Sequence, residues 1–221
     1  MVNNKKITVQ IAALNEGKSI PQVLKNISRE GIDEVLVVDG HSTDNTVEIA
    51  KSFGCRVLVQ PGKGFGDAHM HGFKNATGDI IVVMDADYSQ DPKDIPRLLA
   101  KLNEGYDVAM GSRYMPGAKT EEETPVRFIG NKMFTFLTNL VHGMKTSDCL
   151  YFFIATRKEV LNSLDLKSKG FAFCVEALVK MHKAGYKIGE VPCVEHKRFA
   201  DESRVNAFTD GLRILWQMLW W

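Results

Sequence analysis

The chain contains no apolar run approaching the ~20 residues of a bilayer-spanning helix, so no transmembrane helix is expected. The N-terminal MVNNKKITVQ has two lysines but no long apolar stretch behind them, which argues against a signal peptide. Its four cysteines, Cys55, Cys149, Cys174 and Cys193, show no CxxC and no dense spacing, the usage of a reduced, cytoplasmic protein. A net charge of +1 gives no case for bulk nucleic-acid binding, so any anion site must be local. There is no internal repeat and no low-complexity linker. What remains is an ordinary globular composition, 44% apolar and 25% charged, in 221 residues, enough for one compact domain with a sizeable core.

The first half alternates two kinds of segment. Ile7–Ala13, Glu34–Asp39, Arg56–Gln60, Ile80–Asp85 and Asp107–Gly111 read as strands, and Ser19–Ser28, Val47–Phe53, Phe65–Ala76 and the stretch from Asp91-Pro92 to about Leu102 as helices. Asp91 is the expected N-cap, with Pro92 at the first helical position. Strands without polar alternation, separated by helices, predict an α/β fold with a parallel sheet covered on both faces. The second half opens with a polar loop, residues 112–126, followed by a helix over Arg127–His142, a strand over Leu150–Ala155 and a helix over Phe173–Ala184. Lys187–Val194 reads as a strand that is short or at an edge, because it contains Pro192.

Ligands of an open parallel sheet bind beyond the carboxyl ends of its strands. There this sequence collects Asn15-Glu16, Asp39, the glycine-rich PGKGFG (61–66), Asp85 with Asp87, and Ser112-Arg113. Residues i and i+2 of an extended chain face one way, ~6–7 Å apart, so Asp85 and Asp87 can share one divalent cation. Carboxylates suit Mg2+ or Mn2+, which one or two acids hold together with substrate phosphate oxygens. The plainer reading, that both acids cap the next helix, suits Asp91 better, since it directly precedes Pro92. GKGFG is not a GxGxxG fingerprint and follows the third strand, so dinucleotide binding is poorly supported. His69 and His71, at i and i+2, cannot share a helix face, which speaks against a zinc site.

ALNE (13–16), VVDGHSTDNT (37–46), GKG (62–64), MDADYSQDP (84–92) and GSRY (111–114) together resemble the glycosyltransferase family 2 pattern. The later SD (147–148) and EVPCVEHKRFADES (190–203) resemble its dolichol-phosphate or polyprenyl-phosphate mannosyl- and glucosyltransferase branch. The resemblance runs from about residue 7 to 210. It implies a GT-A, Rossmann-like fold in a single domain over 1–221. In that division about 1–114 binds the nucleotide sugar, about 115–206 forms the acceptor half, and 207–221 is a C-terminal apolar helix. The sequence departs from the pattern at Ala12 (usually proline), at Gly40 and His41 in the base loop, and at Phe152 and Asp201, where glycine is usual.

The resemblance also implies roles. Ala13, Asn15, Glu16 and Asp39 would hold the base and ribose, and Ala86 would lie at the donor between Asp85 and Asp87. A metal held by those two acids would neutralise the departing diphosphate. Lys63 reads equally as a donor contact or a solvated loop lysine. Arg113 and Arg127 match arginines that position a lipid-phosphate nucleophile, and Arg198 and Ser203 fit a loop closing over donor and acceptor. A lipid phosphate needs no strong base, its second pKa being near ~6. A sugar hydroxyl would need one, for which Asp148 and Glu176 are the candidates, though Glu176 can pair with Lys180 at i+4.

The reading is thus an inverting, metal-dependent hexosyltransferase using a GDP- or UDP-sugar and a polyprenyl phosphate. The alternatives are transfer to a saccharide or small-molecule hydroxyl, and a non-catalytic nucleotide-sugar-binding protein. A sugar-1-phosphate nucleotidyltransferase would need a glycine- and arginine-rich loop where this chain has AALNEGKS. The terminal AFTDGLRILWQMLWW carries an apolar stripe, Phe208, Leu212, Leu215, Trp216 and Leu219, that fits core, a subunit contact of a homo-oligomer, or a peripheral membrane contact.

Overall fold

Strand β1 (Ile7–Ala13) lies between β2 (Glu34–Asp39) and β4 (Ile80–Asp85), parallel to both. A computed structural model describes residues 4–121, 123–200, 209–218 and 220–221. Every β1 side chain but Ala12 is buried, because helices cover both faces. Its two polar residues find partners there. Thr8 Oγ1 donates to Glu34 Oε2 (2.6 Å) and accepts from Gly78 N (2.9 Å). Gln10 Nε2 donates to His69 Nδ1 (3.0 Å).

The main sheet has seven strands in the order β3-β2-β1-β4-β7-β5-β8, with β3 Arg56–Val59, β5 Val108–Ser112, β7 Ile154–Arg157 and β8 Ile188–Pro192. It is mostly parallel. The exception is β7, which runs antiparallel between β4 and β5. A strand buried on both faces reads the same in either direction, so its sequence does not disclose this. The expected strand Leu150–Ala155 also starts later, at Ile154. β8 is the edge strand that Pro192 calls for. The chain then leaves the main sheet, and β9 (Val194–Glu195) pairs with β6 (Lys119–Thr120) inside the stretch expected to be loop.

Helices α1 (Ile20–Asn26), α2 (Thr46–Ser52) and α4 (Ile95–Asn103) cover one face of the sheet. Helices α3 (Phe65–Asn75), α6 (Lys158–Ser163), α7 (Phe173–Lys183) and α8 (Thr209–Met218) cover the other. A 3-10 turn, Pro92–Asp94, precedes α4, and Asp91 caps it by accepting from Lys93 N (3.0 Å). Phe152 is a core residue packed on Phe173 and His69, so the core absorbs its bulk.

Helix α5 (Pro125–His142) is turned inside out: it buries Thr135 and Thr138 and exposes Val126, Ile129, Met133, Phe136 and Leu140. Phe136 is 63% and Leu140 68% exposed. The helix thus presents apolar side chains at the surface.

His69 is fully buried among Phe65, Phe73, Phe152 and Phe173. Burial pushes its pKa down from 6.5 to about 3. Below pH 6.5 the unfolded ring takes up a proton that the folded ring refuses, so stability present at neutral pH is lost on acidification. The expected loss from this residue is about 2 kcal/mol between pH 6.5 and 5. Urea midpoints across that range should show His69→Phe with a correspondingly flatter acid slope; an unchanged slope would show that other groups cause it.

Candidate active site

The strand directions bring Ala13, Asp39, Asp85 and Ser112, the last residues of β1, β2, β4 and β5, to one edge of the sheet. A cavity of about 320 Å³ opens there, with Ala13, Glu16, Asp85, Ala86, Asp87 and Arg198 in its wall.

One rim of the cavity is built from two loops tied together. Asn15, at φ 50°, donates its N–H to Ser42 Oγ (2.8 Å), and its Oδ1 accepts from Thr43 N (2.7 Å). Glu16 N donates to Thr46 Oγ1 (2.8 Å), and its carboxylate accepts from Ser19 Oγ. Asp39 Oδ2 accepts from the N–H groups of His41 and Ser42, both at 3.0 Å, which shapes the turn that Gly40 and His41 make. Asp39 Oδ1 is buried and has no hydrogen-bond donor among the described residues. His41 serves as a turn residue at φ 69° whose ring meets Gly62 O (3.1 Å).

Across the cavity, Gly64 sits at φ 104°, and a Cβ there would lie 2.3 Å from Lys169 O. Only glycine fits, which explains the GKG loop. Phe65 and Phe171 stack beside it at 5.0 Å and line the cavity. Lys63 is exposed and outside the cavity wall.

The acidic pair follows β4. Asp85 Oδ2 accepts from Gln90 Nε2 (3.1 Å), and Asp85 N donates to Gln90 Oε1 (2.9 Å). Burial, and then the charge of Asp87, push the Asp85 carboxyl up to about 8 against the pull of Arg198. Asp87 Oδ1 accepts from Ser89 N (2.9 Å), and its Oδ2 pairs with Arg198 at 2.9 Å. Crowded negative charge with a guanidinium upon it fits a cation site. No group of three or more acidic, His or Cys ligands occurs among the described residues, so a metal here would draw further ligands from its substrate.

A second cluster lies beyond β5. The Arg113 guanidinium is buried and grips Asp148 with both Nε (2.7 Å) and Nη2 (3.0 Å). Its Nη1 reaches Glu195 Oε1 (3.2 Å), which Arg127 also contacts (3.1 Å). Asp148 is fully buried, and both of its oxygens accept from the Arg113 guanidinium. Glu176 fares the same: it accepts from Ser168 N (2.7 Å) and pairs with Lys180 (2.5 Å). Arg113 is likewise walled in, and Arg127, with a side chain 39% exposed, is the arginine of this cluster that reaches the surface.

Sequence reasoning missed Gln90 and Glu195. Gln90 lies inside the quoted MDADYSQDP and Glu195 two residues after Cys193, but only the three-dimensional pairing reveals them. Ser203 lies outside the described residues.

The Glycosyl transferase family 2 model matches residues 8–165. The dolichol-phosphate mannosyltransferase of Pyrococcus furiosus is 32% identical over 98% of this chain and 64% of its own length. Glycosyltransferase AglJ of Haloferax volcanii is 32% identical over 89% of this chain and 65% of its own length. The chain thus spans slightly less than two thirds of both relatives. The crystal structure of glucosyl-3-phosphoglycerate synthase from Mycobacterium tuberculosis in complex with Mn2+ and uridine-diphosphate-glucose matches with a TM-score of 0.74. It is 26% identical, and the match covers 99% of this chain and 76% of that one. The fold is that of the GT-A enzymes.

Proposed function

We propose, since this chain belongs to glycosyl transferase family 2 and is a glycosyltransferase, that it moves a hexose from a GDP- or UDP-sugar to a polyprenyl or dolichyl phosphate with inversion. Ala13 and Glu16, in the cavity wall, and Asp39, buried at the end of β2 outside that wall, take the nucleoside, with Asp39 Oδ1 as the acceptor a base N–H meets. Asn15 acts by holding the rim in shape. Asp85, Ala86 and Asp87 face the diphosphate, and Arg198 stands beside them. Lys63, on the glycine-rich loop, is assigned to the donor, and the resemblance to the family assigns Ser203 to the same ligand. A divalent cation, Mg2+ or Mn2+, bound at the two aspartates would draw off charge as the diphosphate leaves. The Mn2+ and uridine-diphosphate-glucose of the tuberculosis enzyme support both groups here.

The observation that carries the acceptor assignment is the commitment of Asp148 and Glu195 to arginines. A hydroxyl nucleophile needs a base, and these acids are not available as one. A phosphate, largely dianionic at neutral pH, needs only a cation to position it, and Arg127 presents one at the surface. The mannosyltransferase relative supports the same acceptor class.

The exposed apolar face of α5 supports an acceptor borne by a membrane. Thr138 of α5 contacts Met218 of α8 (3.3 Å), and α8 exposes Trp216, close to the exposed Trp220. No described helix is long and apolar enough to cross a bilayer. The contact belongs to this proposal as a peripheral one, at the cytoplasmic face.

Incubation with labelled GDP-mannose or UDP-glucose, Mn2+ and vesicles carrying polyprenyl phosphate tests the reading. Label that extracts into organic solvent supports it. Label found in a glycoside of a water-soluble hydroxyl acceptor, with none in lipid, overturns the lipid assignment.

A further inference from the structure

Asp87 already holds a cation, its own chain's Arg198, at 2.9 Å. The segment that carries Arg198 is fastened along the acidic loop. Phe199 N donates to Asp87 O (3.2 Å) and His196 N to Ser89 O (2.8 Å). The His196 ring stacks on Tyr88 at 5.3 Å and 8° and reaches Asp91 (3.2 Å) and Glu121 (3.4 Å). Tyr88 itself is held at φ 69°, a conformation a bulky residue rarely adopts unless its surroundings impose it. The guanidinium is therefore delivered to Asp87 by the backbone on both sides. Asp85, by contrast, receives the neutral amide of Gln90.

A divalent ion and a guanidinium cannot both sit within ~3 Å of one carboxylate oxygen without strong repulsion. The fork of an arginine is also matched to phosphate oxygens. We propose that Arg198 is the resident counter-cation of the acidic pair. The divalent metal competes with it for Asp87 Oδ2, and the displaced guanidinium moves to the diphosphate of the donor. This rests on the reading of Asp85 and Asp87 as the metal site. Its consequence is synergy. Metal alone must draw Asp87 Oδ2 away from Arg198, whereas metal with nucleoside diphosphate offers the guanidinium phosphate oxygens in exchange. Arg198 is thus a positioning residue that links metal entry to donor entry.

The test is Mn2+ affinity, read from the electron paramagnetic resonance signal of free Mn2+, in the absence of nucleotide. Arg198→Gln should bind Mn2+ about tenfold tighter than the unsubstituted chain, because the competitor is gone. The same variant should bind GDP or UDP in the presence of Mn2+ about tenfold more weakly. Arg198→Lys, which keeps the charge, should stay near the original Mn2+ affinity. If Arg198→Gln binds Mn2+ no tighter than the original chain, the exchange is overturned while the metal site stands. If no form binds Mn2+ and the nucleotide binds equally well in a chelator, the metal site itself is overturned, and this inference with it.

Discussion

Replacing Asp87 by asparagine is expected to lower the transfer rate by about 10³ and to abolish the Mn2+-dependent part of the melting-temperature rise caused by donor. Asp87 is 6% exposed, and its Oδ1 is fixed by Ser89 N. Asparagine keeps that acceptor, so the loop between Asp85 and Asp91 retains its form. What disappears is one of the two charges facing the cavity. Asp85 is then the one acid of the pair left, and burial, the largest of the influences that raise its carboxyl, still acts on it. Melting curves with GDP- and UDP-sugars, with and without Mn2+, separate the outcomes. A metal-dependent rise that survives in the variant would make the acids structural.

Arg113→Ala is expected to cost about 3–5 kcal/mol of stability, because it leaves buried carboxylates without their partner. Asp148 is fully buried and loses both of its arginine bonds, and Glu195, 4% exposed, loses one of two. The guanidinium also lies over the rings of Tyr151 (5.1 Å) and Tyr114 (5.4 Å), so the change opens a hole between aromatic rings. Urea unfolding measures the loss. Adding Asp148→Asn should restore part of it, since the stranded charge is then removed. A loss below about 1 kcal/mol would show that the cluster is not a structural keystone and would return Arg113 to the role of a phosphate ligand.

Much of the sheet edge that carries Ala13, Asp39 and Asp85 was legible because topology alone places it. Apolar runs without alternation gave β1, β2 and β4 their bounds, and a parallel sheet sends the residues that follow to one edge. The direction of β7 was not legible, since inward and outward faces are equally apolar. Periodicity also found α5 but could not say which side of it meets the protein, and the buried stripe turned out to hold Thr135 and Thr138. The cluster beyond β5 was read less well for a different reason. Arg113 pairs with an acid 35 residues away and another 82 residues away. Charges read singly invite roles in binding; read with their partners, Arg113 and Asp148 neutralise each other. Arg198 on Asp87 is the same kind of fact.

Strand β7 also bears on how the chain emerges from the ribosome. Strands β1 to β4 can join as they appear, each finding a neighbour already synthesised. Strand β5 appears with no neighbour, because the place between it and β4 belongs to Ile154–Arg157, while its other flank awaits β8. Until those residues are translated, the nascent chain displays a raw edge on β4 and an unmatched greasy strand, the species that trigger factor-like holdases shelter and that overproduction drives into inclusion bodies.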